Sequence, residues 1–180
     1  MDTKRDATGI VNAVTAEDIG AFSDTNLAEA LQRITGVAID RDRGEGARVT
    51  VRGFGADFNL VTLNGRQMPT HSGFGRSFDF GDIASESVSG VEVYKTAQAS
   101  VPTGGIGATI NILTAKPLDN PGLRTSISAK GVKDQSSFTG DEWTPEVAFL
   151  VSQTFMDDTV GISVTGSFQE RQSGQASSSN

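Results

Sequence analysis

The sequence predicts an α+β fold in which a small mixed sheet with short helices gives way, near residue 117, to an antiparallel β-meander. Three observations carry that reading. Apolar residues recur at helical spacing only in the first half of the 180-residue chain. From Gly122 onward apolar and small polar residues alternate strictly, and no helical period survives. Glycine, at 21 residues, together with a hydrophobic content of only 36% marks a chain rich in turns.

The elements follow in order. Thr15-Ala16-Glu17-Asp18 places a hydroxyl cap three residues before an acid, which predicts a short helix over about 16 to 21. Asn26 and Glu29 repeat that box, Leu27, Ala30, Leu31 and Ile34 share one face, and Gly36 supplies the stop, so a second helix is expected over about 26 to 35. The period then becomes two, with strands at Val37 to Ile39, Val49 to Val51 and Leu60 to Leu63. Gly53 marks a turn after the second of these. Asn64-Gly65 behind the third is a strong hairpin signal, because both residues tolerate positive φ. A loop runs on to about Phe80, and Ile83 to Val88 is read as a brief helix closed by Gly90, ahead of a strand through Val91 and Val93. Gly104, Gly105 and Gly107 predict a sharp turn between Pro102 and a strand at Thr109 to Ile112, where glycine permits positive φ and close backbone packing.

Three alternating segments make up the rest. Leu123 to Ala129, Val147 to Phe155 and Val160 to Phe168 each present one apolar face, and they are joined by a long polar loop from Lys133 to Pro145 and a tight turn from Met156 to Asp158. Segments of about ten residues with this pattern match transmembrane β-barrel strands. Alternation alone fits the edge of a soluble β-sandwich as well.

Several function classes are disfavoured by composition. A net charge of −7 gives no electrostatic reason for a nucleic-acid partner. There is no cysteine and one histidine, so thiolate and histidine-cluster metal sites are not expected. The acidic pairs Glu17-Asp18 and Asp141-Glu142 read as solvated charge. With no nucleophile motif beside them, no catalytic residue, no cofactor and no enzymatic activity are expected. Gly104 to Gly107 lacks both the third glycine of a dinucleotide loop and the lysine of a phosphate loop. Met1 to Arg5 has no apolar stretch behind it, so no export signal is read there. The longest apolar run, Val147 to Val151, is far short of the ~20 residues of a membrane-spanning helix, which leaves strands for any membrane role.

A series of motifs, dense and in order, resembles a known family. TKRDA (3 to 7), AEDIGAF (16 to 22), NLAEALQRITGVAI (26 to 39), VRGFGADFNLVTLNGR (51 to 66), VEVYKT (91 to 96) and GGIGATINILTAKPL (104 to 118) are similar to the plug of TonB-dependent outer-membrane receptors, especially a proteobacterial branch often linked to carbohydrate uptake. Ser23, Thr35 and Ala84 stand where relatives commonly have proline, and Ala108 where they commonly have glycine.

The resemblance implies a plug domain over 1–117 and, over 118–180, the first three strands of a truncated outer-membrane β-barrel, the plug sitting in the lumen of a barrel of about 22 strands. It implies a gate without chemistry of its own, in a transporter for active uptake of a nutrient ligand. A glycan is the expected ligand and a ferric siderophore the runner-up. The implied partners are the remainder of the barrel, the outer membrane, the ligand, and TonB acting through an N-terminal box expected to be absent from this chain. Three strands cannot close a barrel, so the chain alone is not expected to transport. Arg52 is assigned by the resemblance to an ion cluster between plug and barrel wall, against the plainer reading of an exposed strand arginine. His71, Phe74 and Arg76 are candidates for a ligand-facing loop, although Phe78 and Phe80 beside them equally suit the core. The competing class is a soluble carbohydrate-binding or adhesion module.

Overall fold

A computed structural model describes residues 9–15, 26–42, 44–70, 75–133 and 143–170. The chain divides into two compact units, Met1–Thr114 and Ala115–Asn180. The helix expected over 16 to 21 lies outside the described residues.

In the first unit a five-stranded sheet contains β1 (Val11–Thr15), β4 (Asn59–Leu63), β5 (Arg66–Gln67), β6 (Val88–Tyr94) and β7 (Ala108–Thr114) in the order β1-β6-β7-β4-β5. The β4–β7 pair is parallel and the others antiparallel, which makes the sheet mixed. A separate hairpin joins β2 (Val37–Asp42) to β3 (Glu45–Val51), with a bulge between Asp40 and Arg41.

Helix α1 (Leu27–Leu31) has only five residues, too few to persist without packing. Its apolar residues supply that packing: Leu27, Ala28, Ala30 and Leu31 are fully buried against Val49, Val51, Val91, Val93, Ile110 and Ile112. Asn26 caps the helix, its Oδ1 accepting from the Glu29 amide at 3.2 Å, while its Nδ2 donates to the Gly46 carbonyl at 2.5 Å and so ties the cap to β3. The expected stop at Gly36 is present as φ +76°, but the helix expected to run to 35 ends at Leu31, and the turns from there to Gly36 close between residues three apart, tighter than α-helix.

The stretch from Ile83 to Val88 differs in part from expectation. A brief helix does form there, the 3-10 turn Ser85–Ser87, but Gly90 does not close it. Two 3-10 turns, Phe80–Asp82 and Ser85–Ser87, lead directly into β6, and Gly90 sits inside that strand. A Cβ at Gly90 would meet the Val14 carbonyl at 3.1 Å, so this glycine lets β1 approach closely and ends nothing.

The second unit is a meander, β8 (Arg124–Lys133), β9 (Trp143–Phe155) and β10 (Val160–Gln169), in the order β10-β9-β8. The strands run further into the connecting loop than the alternation suggested, and Pro145 pairs with Gly131 inside β9. Proline is tolerated there because the β10 ladder ends one residue on, at Gln169 opposite Glu146. The register puts Ile127, Phe149 and Gly166 in one row, Thr125, Val151 and Val164 in the next, and Ala129, Val147 and Phe168 beyond. All of these belong to one face, and its large side chains are exposed. On the opposite face of the central strand Thr144, Glu146, Ala148 and Ser152 are buried. Met156, Asp157 and Asp158 carry the tight turn, all three with positive φ.

Candidate functional site

Of the residues singled out by sequence, Arg52, Arg76 and the Gly104 to Gly107 turn meet at the end of the first unit's sheet where β4 and β7 begin, while Asn64-Gly65 stands at the opposite end of β4. Val51 and Phe54 close a two-residue turn on each other through paired backbone bonds, with Arg52 (φ 55°) and Gly53 (φ 79°) at its centre. From this turn the Arg52 guanidinium reaches the start of β7: Nε donates to the Gly107 carbonyl at 3.1 Å, and Nη2 to Gly107 at 2.6 Å and Ile106 at 3.0 Å. No carboxylate partner of Arg52 occurs among the described residues.

The glycine turn that receives Arg52 owes its composition to crowding. Positive φ and close backbone packing were both expected at Gly104, Gly105 and Gly107; the described glycines with positive φ are Gly36, Gly44, Gly53, Gly65 and Gly122, and the close packing is what Gly105 and Gly107 show. What glycine provides here is space. A Cβ at Gly105 would come within 2.5 Å of the Leu60 nitrogen and 2.9 Å of the Phe58 carbonyl, and one at Gly107 would strike the Asn59 carboxamide. Asn59 is itself buried, and its Nδ2 donates to the Val49 carbonyl at 2.8 Å, joining β4 to β3.

Beside Arg52 is a recess of about 210 Å³, lined in part by Lys95, Gln98, Thr103, Ile106 and Thr109. Its described lining holds two cations, an amide and several hydroxyls and no acid, so it presents mainly donors. Tyr94 also borders it. Burial, then the hydrogen bond and negative charge of Glu92, push the Tyr94 hydroxyl up to about 12.

The ligand-loop candidates divide. His71 and Phe74 lie outside the described residues. Arg76 is exposed and donates from Nη2 to the Gly104 carbonyl at 3.1 Å, while Asp57 accepts from the amides of Arg76 and Ser77 at 2.7 and 2.8 Å. Arg76 also lines a second recess of about 140 Å³, with Gln67, Met68, Thr70 and Phe78. Phe78 and Phe80 are buried and stack edge to face at 5.3 Å, so their role is packing.

A group that sequence reasoning missed crosses the sheet from the Asn64-Gly65 turn. Asn111 on β7 accepts at Oδ1 from Thr62 Oγ1 at 2.9 Å and from the Gly65 amide at 2.8 Å, and donates from Nδ2 to Glu92 at 3.1 Å. No pattern in the sequence pairs them; the register of the sheet does. Glu92, Asn111 and Thr62 stand directly opposite one another on β6, β7 and β4, a row of polar residues across a sheet whose other face is apolar.

A family model described as TonB-dependent Receptor Plug Domain matches residues 3–109. The chain belongs to the TonB-dependent receptor plug family. The vitamin B12 transporter BtuB of Vibrio cholerae serotype O1 is 34% identical to it over 122 residues, which is 66% of this chain and 19% of that protein. TonB-dependent receptor P26 of Formosa agariphila is 28% identical over 155 residues, covering 83% of this chain and 15% of that one. Among solved structures, the alcaligin outer membrane receptor FauA of Bordetella pertussis superposes with a TM-score of 0.63 at 17% identity, over 92% of this chain and 27% of its own. The Serratia marcescens hemophore receptor HasR gives 0.59 at 16% identity, over 85% and 25%. The chain thus spans about a fifth of the length of the curated relatives it matches. These relatives bear the names of a transporter and a receptor.

Proposed function

We propose that the first unit is the gating plug of an outer-membrane transporter for active uptake of a nutrient, without enzymatic activity, and that the second unit begins the barrel around it. The observation that carries this is the succession of a plug-family unit by a meander whose strands of 10, 13 and 10 residues keep one apolar face exposed, Ile127 at 80%, Ile162 at 58% and Phe149 at 44%. Strand lengths and faces of this kind suit a bilayer, while three strands leave the open edges that lipid does not tolerate. The chain alone therefore would not transport. The remaining strands of a closed barrel are its first partner.

The donor-rich recess beside Arg52 is proposed to receive a carboxylate of the barrel wall, which completes the ion cluster expected of Arg52. Arg76, with His71 and Phe74, is proposed to face incoming ligand. TonB, drawing on the inner-membrane proton gradient through an N-terminal box, is proposed as the energy source. For the ligand, the relatives and solved neighbours bear the names of a vitamin B12 transporter, a hemophore receptor, a copper transporter and an alcaligin receptor, so a metal-complex nutrient has more support than the glycan. Nothing among them supports a soluble carbohydrate-binding or adhesion module.

Trp143, the single tryptophan, provides the test, because it stands 63% exposed on the apolar face. Adding lipid vesicles to the chain should shift its emission to the blue, and brominated lipids should quench it. Unchanged emission with vesicles present would remove the barrel assignment.

A further inference from the structure

The Asn64-Gly65 turn carries a chemical hazard. In an Asn-Gly pair the glycine nitrogen, once deprotonated, attacks the asparagine Cγ, since no side chain on glycine obstructs the approach. A C–N bond forms, the Cγ–Nδ2 bond breaks, ammonia leaves, and water then opens the succinimide to aspartate or isoaspartate. Asn64-Gly65 is the one Asn-Gly pair in the sequence, and both residues are exposed.

We infer that Asn111 and Thr114 hold this pair in an unreactive arrangement, so that Asn64 is a latent deamidation site opened only when the turn leaves the sheet. Both reacting groups are engaged. The nucleophile is occupied, because the Gly65 N–H donates to Asn111 Oδ1 at 2.8 Å. The electrophile is held by two bonds to one residue: Thr114 N donates to Asn64 Oδ1 at 3.1 Å, and Asn64 Nδ2 donates to Thr114 Oγ1 at 2.9 Å. Attack requires the Gly65 bond and the carboxamide bonds to break together. Asn111 cannot turn its amide over to release Gly65 without penalty, because its Nδ2 donates to Glu92 at 3.1 Å and its Oδ1 accepts from Thr62 at 2.9 Å. A reversed amide would set donor against donor at the Gly65 N–H and acceptor against acceptor at Glu92, while the Thr62 hydroxyl could turn to accept. Conversion to isoaspartate would add a methylene to the turn backbone and a negative charge beside Thr114, undoing the β4–β5 hairpin.

The test incubates the 180-residue chain in warm, mildly alkaline buffer, with the same chain unfolded in guanidinium chloride as reference, and follows Asn64 by peptide mapping with mass spectrometry that separates aspartate from isoaspartate. Folded chain should deamidate about tenfold more slowly or better, since reaction must wait for local opening. Asn111→Ala should bring the folded rate to within a few-fold of the unfolded one while the circular dichroism spectrum is retained. Thr114→Val, which keeps the backbone bond to Asn64 and loses the side-chain bond, should fall between, and it decides the matter if Asn111→Ala fails to fold. Equal rates in folded and unfolded wild type, or wild-type protection in folded variants, would overturn the inference.

Discussion

The guanidinium of Arg52 closes on the carbonyl of Gly107, 55 residues away in sequence, at 2.6 Å from Nη2 and 3.1 Å from Nε. A fork of parallel donors meets one carbonyl, and a neighbouring carbonyl, Ile106, takes a third bond. Lysine, with a single ammonium on a flexible stem, does not reproduce that geometry. Both Arg52→Lys and Arg52→Ala are therefore expected to lower stability by about 1.5–3 kcal/mol, the range for hydrogen bonds to a charged group. Urea unfolding followed by circular dichroism measures it. A lysine variant as stable as wild type would show that charge alone matters at this position.

Two glycines of the same region should respond to alanine for different reasons. At Gly105 a Cβ collides with backbone of β4 and the preceding turn, which cannot move aside as a side chain would. Gly105→Ala should cost at least the ~1–3 kcal/mol of overpacking. At Gly53 nothing lies within 4 Å of a new Cβ, and the penalty is the left-handed φ of 79° alone, about 1–2 kcal/mol. Thermal denaturation should rank Gly105→Ala as the more damaging, and the opposite order would mean that backbone conformation outweighs space.

Tyr94 is the single tyrosine, so its ionisation can be followed by phenolate absorbance without interference from another. In the folded chain it should titrate near 12, and on unfolding it should return toward 10. Because the folded state holds this proton more tightly, the stability it contributes is present below pH 10 and is lost as pH rises through about 12. Glu92→Gln removes the negative charge that opposes ionisation and should lower the folded midpoint. A midpoint near the ordinary tyrosine value in the folded wild type would contradict the burial of Tyr94 together with its Glu92 contact.

The apolar face of the meander should make the whole chain self-associate or depend on detergent, since a patch of this size and an open strand edge both invite partners. Removing residues 119–180 should leave a folded, monomeric first unit. Light scattering with circular dichroism, at matched concentration without detergent, compares the two. A monodisperse, monomeric full chain beside an unfolded or aggregated shortened one would make these strands part of a soluble core.

Taken by itself, the sequence determined the features that arise between near neighbours. The Asn26 cap acts over three residues, the Asn64-Gly65 turn over two, and the alternation of Val147, Phe149 and Val151 follows from the pleat of one strand. The order of family motifs also lay in the sequence, and with it the assignment to plugs. The tertiary structure decided what depends on approach across the fold. Asn26 also grips Gly46, Gly90 admits β1 and does not end a helix, Gly105 and Gly107 are small because β4 and Asn59 lie against them, and Asn111 reaches from β7 to both Glu92 and Gly65. Each of these pairs two groups whose distance no local pattern encodes. A hydrogen bond or a missing Cβ has meaning only once the sheet has brought its other half within about 3 Å.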